Sequence, residues 1–216
     1  MIDRNLKIRT VTSFVLSLIV FLMINADIFL IYFLIVFGVL SIIEFFQISK
    51  KIFLNHLLRY FLNFTFLIYI FLFCYLFLIF VSYLHLKIIL FTLLFGCFAS
   101  DIGGYVFGKT FKGPKLSKIS PNKTLSGAAG SIIFTCLVVS ALIYFFTDNF
   151  SFLILLVSAF TSISCQLGDL FFSYLKRNAN IKDTGKIFPG HGGVLDRIDG
   201  VLFGLPAGFI LLMVLG

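Results

Sequence analysis

The residues best suited to chemistry are concentrated in residues 176–199, which read K-R-N-A-N-I-K-D-T-G-K-I-F-P-G-H-G-G-V-L-D-R-I-D. The positively charged side chains of this stretch are Lys176, Arg177, Lys182, Lys186 and Arg197. Its carboxylates, Asp183, Asp196 and Asp199, supply the hard oxygen ligands that Mg²⁺ accepts. Its glycines, among them Gly190, Gly192 and Gly193, let the backbone approach a ligand closely. This mixture indicates a segment that binds phosphate groups together with a divalent cation.

Two further features of this stretch bear on the same chemistry. Asp196 and Asp199 are three residues apart, so they share a face if a helix begins here. The N-terminus of such a helix would also favour anions. His191 could contact a phosphate or serve as a hydrogen-bonded turn residue, and the sequence leaves both open.

A polar face precedes the stretch. Asp169, Ser173, Lys176 and Arg177 are spaced i, i+4, i+7 and i+8, which places them on one side of a helix. Such a face could hold a metal ion at one end and phosphates at the other. The alternative is that Lys176 and Arg177 only anchor a helix end at the membrane surface.

The loop 109–123 carries five lysines, including Lys123, and could draw anions toward the site. Its G-K-T at residues 108–110 lacks the upstream glycine and strand of a phosphate-binding P-loop.

The elements that position these residues follow from composition. Hydrophobic residues make up 60% of the 216-residue chain, charged residues 12%, and the mean hydropathy is +1.12. These values exclude a soluble or disordered chain and indicate an integral membrane protein. The apolar runs are continuous rather than alternating, so they predict helices and not a barrel. The net charge is +8, and the basic residues lie between the spans. This position favours lipid headgroups and phosphorylated substrates over nucleic acid as partners.

We therefore expect an all-α, polytopic bundle of about seven transmembrane helices. The predicted spans are 10–26, 28–46, 60–83, 88–108, 124–147, 150–175 and 198–216. With a cytoplasmic N-terminus, every Lys and Arg except Lys87 lies on the cytoplasmic side, as the positive-inside rule requires. The first span is short and could instead be a signal peptide.

The same pattern predicts two regions. Residues 1–87 form a hydrophobic three-span region, in which Glu44 and Gln47 are expected to be solvated at a cytoplasmic helix end. Residues 88–216 form the catalytic region, with cytoplasmic loops 109–123 and 176–197.

The depth of Asp101 and Asp169 is informative. Helical rise places both about 10–12 Å inside the cytoplasmic boundary. A charge there costs at least a few kcal/mol unless it is paired, hydrated or bound to a cation. Two carboxylates at matched depth favour one shared polar pocket. The alternative is that each forms an ion pair with a loop Lys or Arg.

Residues 173–199 resemble the signature of the phosphatidate cytidylyltransferases, also called CDP-diacylglycerol synthases. The matching elements are S-x-x-K-R, K-D, P-G-H-G-G and D-R-x-D. The upstream D-I-G-G-Y-x-x-G-K and I-S-P-N-K-T-x-x-G are also similar to that family. The resemblance covers about residues 100–200. Two positions depart from it, because Ser126 and Phe172 stand where many members carry an acidic residue.

The resemblance implies transfer of the cytidylyl group of CTP to phosphatidic acid of the inner leaflet, giving CDP-diacylglycerol and pyrophosphate. It implies Mg²⁺ as cofactor, and it allows a second cation and a homodimer. The implied metal ligands are Asp169 and Asp196, followed by Asp101 and Asp199. The implied phosphate-neutralising residues are Lys123, Lys176, Arg177, Lys182 and Arg197. The other implied substrate-binding residues are Ser173, Asp183, Gly190, His191, Gly192 and Gly193.

Other functions are kept as alternatives. One is cytidylyl or phosphoryl transfer to another lipid, such as an isoprenoid. A different class is an anion or proton-coupled transporter, which is disfavoured because the outer halves of the spans hold nothing ionisable. An inactive scaffold in lipid synthesis is a third. The expected location is the cytoplasmic membrane, with the active site facing the cytoplasm.

Overall fold

A computed structural model of the protein describes residues 4–117, 119–121, 123–188 and 192–215, with side chains from residue 10 onward. Within these ranges the chain forms seven helices and no strand. They are α1 (Arg4–Asn25), α2 (Asp27–Ile52), α3 (His56–Val81), α4 (Leu84–Phe111), α5 (Leu125–Thr147), α6 (Phe152–Asn178) and α7 (Leu195–Leu215). The all-α prediction is therefore confirmed.

The helices form where the sequence is apolar over long runs, because a backbone in lipid must satisfy its hydrogen bonds internally. Six of them, α2 to α7, are long and apolar enough to cross a membrane. The apolar part described for α1, Thr10–Asn25, is shorter. An integral membrane protein is thus confirmed, while the cytoplasmic position of the N-terminus stays a prediction.

The chain divides into two compact units. Unit 1 comprises residues 1–81 and 175–198, and unit 2 comprises residues 82–174 and 199–216. The predicted division into two functional regions at residue 87 stays a prediction.

In unit 1, α2 and α3 pack closely. A Cβ at Gly38 would lie 3.3 Å from Ile70 Cγ2 and 3.4 Å from Cys74 Sγ, so the two helices are in close contact at this glycine. Phe45 stacks on Phe66 with ring centroids 3.9 Å apart. This packing fixes the C-terminal half of α2, which carries Glu44.

Unit 2 is held together by small and hydroxyl-bearing residues, as is usual where helices meet in lipid. A Cβ at Gly103 of α4 would lie 2.7 Å from the carbonyl oxygen of Gly130 in α5. Ser131 donates to the Ser100 carbonyl over 2.7 Å, and the hydroxyls of Ser100 and Ser162 are 2.9 Å apart. These contacts fix α4, α5 and α6 against one another.

Candidate active site

In unit 1 the carboxylate of Asp196 accepts several hydrogen bonds from within residues 176–199, which are called the signature stretch below. It lies in the first turn of α7, and its Oδ2 accepts from the backbone N–H groups of Thr184 at 2.7 Å and Gly193 at 3.0 Å. Its Oδ1 accepts from Lys176 Nζ at 2.7 Å. The side chains of Asp196 and Lys176 are only 4% and 12% exposed. A buried charge needs such partners, so Asp196 is held in one orientation with a cation beside Oδ1.

Gly192 closes the turn that precedes Asp196. Its φ of +88° lies in the region that favours glycine, and a Cβ there would lie 2.6 Å from Asp196 Oδ2. It would also lie 3.3 Å from Asp183 Cβ, so this turn brings Asp183 close to Asp196. Phe188 and Gly192 exchange backbone hydrogen bonds of 2.9 and 3.0 Å. The predicted residues Gly190 and His191 lie outside the described residues.

Glu44 corrects the expectation from sequence. It was expected to be solvated, but it is 2% exposed. Its Oε1 accepts from the N–H of Val194 at 3.0 Å, and its Oε2 accepts from the N–H of Leu195 at 2.9 Å and the hydroxyl of Thr184 at 2.6 Å. A Cβ at Gly193 would overlap this carboxylate. One signal in the sequence pointed to burial, since Glu44 lies among isoleucines and phenylalanines in an apolar helix.

In unit 2 the carboxylate of Asp169 forms an ion pair with Lys123. Ser173, one turn later in α6, donates to Asp169 Oδ1 over 3.3 Å. The side chains of Lys123 and Asp169 are about one-third exposed, at 28% and 30%. The alternative of an ion pair with a loop lysine is thus found for Asp169. The pairing also brings the predicted residues Lys123, Asp169 and Ser173 together.

Asp101 and Asp199 belong to the same unit, on α4 and α7. A Cβ at Gly168 would lie 2.6 Å from the Asp199 carbonyl oxygen, so α6 and α7 touch one residue before Asp169. Unit 2 therefore contains three of the predicted carboxylates, Asp101, Asp169 and Asp199. Within the described ranges, however, no three His, Cys, Asp or Glu side chains form a group that could hold a metal ion.

The remaining predicted residues lie at the surface of unit 1. The side chains of Arg177, Lys182, Asp183 and Arg197 are exposed. Arg177 and Arg197 directly follow Lys176 and Asp196 in the chain, so exposed cations accompany the buried pair, and clustered positive charge attracts anions.

Comparison with known proteins is decisive for the family. The cytidylyltransferase family matches residues 57–215. The chain belongs to the cytidylyltransferase family.

Three curated relatives of this chain are phosphatidate cytidylyltransferases. A phosphatidate cytidylyltransferase of Staphylococcus haemolyticus (strain JCSC1435) is 45% identical over 116 residues, which cover 53% of this chain and 45% of the relative. One of Staphylococcus aureus (strain COL) is 46% identical with the same coverage. One of Rickettsia bellii (strain RML369-C) is 42% identical over 119 residues, covering 51% of this chain and 52% of the relative. The match thus spans about half the length of these relatives.

The two departures from the cytidylyltransferase pattern have structural roles in this chain. Ser126 donates to the Lys112 carbonyl and lies 3.0 Å from the Thr124 hydroxyl, which caps α5. Phe172 is 1% exposed and meets Phe203 edge-on at 6.2 Å between centroids. A hydroxyl and an aromatic ring therefore serve local packing at these two positions.

Proposed function

We propose that this protein transfers the cytidylyl group of CTP to phosphatidic acid, giving CDP-diacylglycerol and pyrophosphate. The observation that carries the proposal is the oriented Asp196–Lys176 pair, which lies beside a glycine turn and is followed in the chain by the exposed cations Arg177 and Arg197. The names of the relatives agree with it. Such a site is suited to binding and neutralising phosphates.

The residues present fit Mg²⁺ as the cofactor. Proteins usually bind Mg²⁺ through one or two carboxylates together with substrate phosphates and water, so a closed cage of three protein ligands is not required. Asp169 and Asp196 are the proposed ligands, with Asp101 and Asp199 as further candidates. In this structure the carboxylates of Asp169 and Asp196 each pair with a lysine ammonium. When bound, the ion would neutralise charge that develops on the phosphates.

The residues of the chain would act by positioning and neutralisation. A phosphate oxygen of phosphatidic acid bonds to the α-phosphorus of CTP, the bond from that phosphorus to the bridging oxygen of the β-phosphate breaks, and pyrophosphate leaves. The attacking phosphate is already anionic at neutral pH, so no general base is needed. Lys123, Lys176, Arg177, Lys182 and Arg197 would neutralise the triphosphate and the lipid phosphate. Catalysis then comes from alignment and electrostatics.

The location of the reaction is part of the proposal. CTP would reach the site from the cytoplasm, and phosphatidic acid would reach it laterally from the inner leaflet of the cytoplasmic membrane. The basic residues of residues 109–123 and 176–197 support this orientation, because such loops remain cytoplasmic.

The test is a transfer assay on the purified, full chain with CTP labelled in either the α- or the γ-phosphate. We expect α-label to enter the organic phase only with phosphatidic acid and Mg²⁺, while γ-label is recovered as pyrophosphate. Matched reactions contain an isoprenyl phosphate or no lipid. Transfer to the isoprenyl phosphate alone, or γ-label in lipid, would establish the alternative enzyme. Labelled anion accumulating in sealed vesicles without lipid product would establish a transporter, and no label in either form would favour an inactive scaffold.

A further inference from the structure

We infer that Glu44 of α2 is a positioning residue for the reaction: its buried carboxylate holds the signature stretch in the shape that orients Asp196. This inference rests on the proposed function for its catalytic consequence, but the contacts that carry it do not. All of them lie within unit 1.

The first step is the cost of burying Glu44. At 2% exposure the side chain has lost its water, and a carboxylate in such a place destabilises the fold unless donors replace that water. Three donors do so, from Val194, Leu195 and Thr184. All three belong to the signature stretch. A carboxylate that is distant in the sequence therefore accepts all three of these hydrogen bonds from one segment.

The second step is what the three bonds fix. Val194 and Leu195 stand where α7 begins, so their N–H groups have no partner within the helix. Glu44 supplies that partner through space and sets where and in which direction α7 begins. Asp196 follows directly, so the direction of its carboxylate depends on this start.

The third step is the hydroxyl of Thr184. It lies 2.6 Å from Glu44 Oε2 and 3.0 Å from Asp196 Oδ2, and one hydroxyl hydrogen can serve only one of them. The shorter contact assigns it to Glu44. Glu44 thereby fixes Thr184, whose backbone N–H in turn donates to Asp196 Oδ2 over 2.7 Å. Glu44 therefore acts on Asp196 through Thr184.

The experiment compares Glu44→Gln with Gln47→Glu. Gln47 is three residues further along α2 and exposed, so its variant changes the net charge by one unit in the opposite direction at a position open to solvent or lipid. In Glu44→Gln an amide NH₂ replaces one acceptor and faces a backbone N–H. We expect hydrogen exchange of a peptide covering residues 184–197 to quicken by at least about tenfold, because a charge-assisted bond is lost. Exchange of α3 should not change, and Gln47→Glu should behave as wild type.

Kinetics separate positioning from mere stability. For the folded, monodisperse Glu44→Gln protein we expect kcat to fall by about 10- to 100-fold, as expected for a misplaced reacting group, with the KM for CTP changed by less than about threefold. Thr184→Val should lose a similar factor and Thr184→Ser should recover most of it. The double variant Glu44→Gln/Thr184→Val should lose little more than either single one, since both act on one chain of contacts.

The outcomes are distinguishable. Unchanged exchange in the 184–197 peptide overturns the inference, and so does faster exchange with an unchanged kcat. A wild-type protein that makes no product from CTP and phosphatidic acid would contradict the proposed function, and the exchange measurement alone would then decide whether Glu44 holds the stretch.

Discussion

Replacing Asp196 with asparagine should reduce CTP- and Mg²⁺-dependent product formation to below about 1% of wild type, and Asp169→Asn should do the same. At Asp196 the amide would turn an NH₂ group either toward Lys176 or toward the backbone donors of Thr184 and Gly193. At Asp169 the charge opposite Lys123 would be lost. In both cases a carboxylate proposed to bind the cation is removed, which the transfer assay measures directly over an Mg²⁺ titration.

A loss of activity in these two variants must be distinguished from a failure to fold. Breaking a buried ion pair can destabilise a protein by about 3–5 kcal/mol, so Asp196→Asn alone could fail to fold. Asp169 is partly exposed, and its variant should insert into the membrane and remain monodisperse in detergent. Asp148→Asn is the matched control, because this exposed residue adopts φ +53°, which asparagine tolerates. Wild-type turnover by Asp169→Asn or Asp196→Asn would refute the role assigned to that residue.

The helices could be predicted from sequence for a simple reason. Lipid requires long apolar helices, so runs such as 28–46 and 60–83 had no other stable form. Their ends were harder to predict. α2 continues to Ile52 and α6 to Asn178, beyond the apolar runs, since polar residues near a helix end can reach water while the backbone stays helical.

The site, like the helices, could be predicted from the sequence only in part. The motif drew attention to Lys176 and Asp196, which the structure pairs. The sequence left open whether Asp169 would meet a cation or a loop lysine, and an ion pair with Lys123 is found. Whether Asp169 and Asp196 share one cation stays a prediction.

Glu44 was missed for a physical reason. In a soluble protein the apolar face of a helix shows which side is buried. In lipid both sides of α2 are apolar, so the pattern does not show which side packs against the protein. The partners of Glu44 are also 140 to 151 residues away in the chain. The clue in the sequence is a single carboxylate within the apolar span 28–46, since a charge in such a span is stable only when it is buried with hydrogen-bond donors or reaches water.

The second large effect is expected at Gly192, where alanine should lower kcat by at least about 10²-fold. The Cβ would meet Asp196 Oδ2 at 2.6 Å, and that oxygen cannot retreat because the N–H groups of Thr184 and Gly193 hold it. The positive φ of Gly192 adds strain of about 1–2 kcal/mol. The carboxylate, the turn or both must therefore move. The transfer assay on protein of verified monodispersity measures the effect.

The variant Gly113→Ala distinguishes the effect of backbone strain from the effect of contact with Asp196. Gly113 has φ +119°, but the nearest atom to a Cβ there is Ser126 Oγ at an ordinary 3.6 Å. This variant carries backbone strain without contact with Asp196, so it should lower the melting temperature while keeping kcat within about threefold of wild type. If Gly192→Ala and Gly113→Ala lost activity equally, strain alone would account for the effect. Asp196 would then not need the close approach that only a glycine at 192 permits.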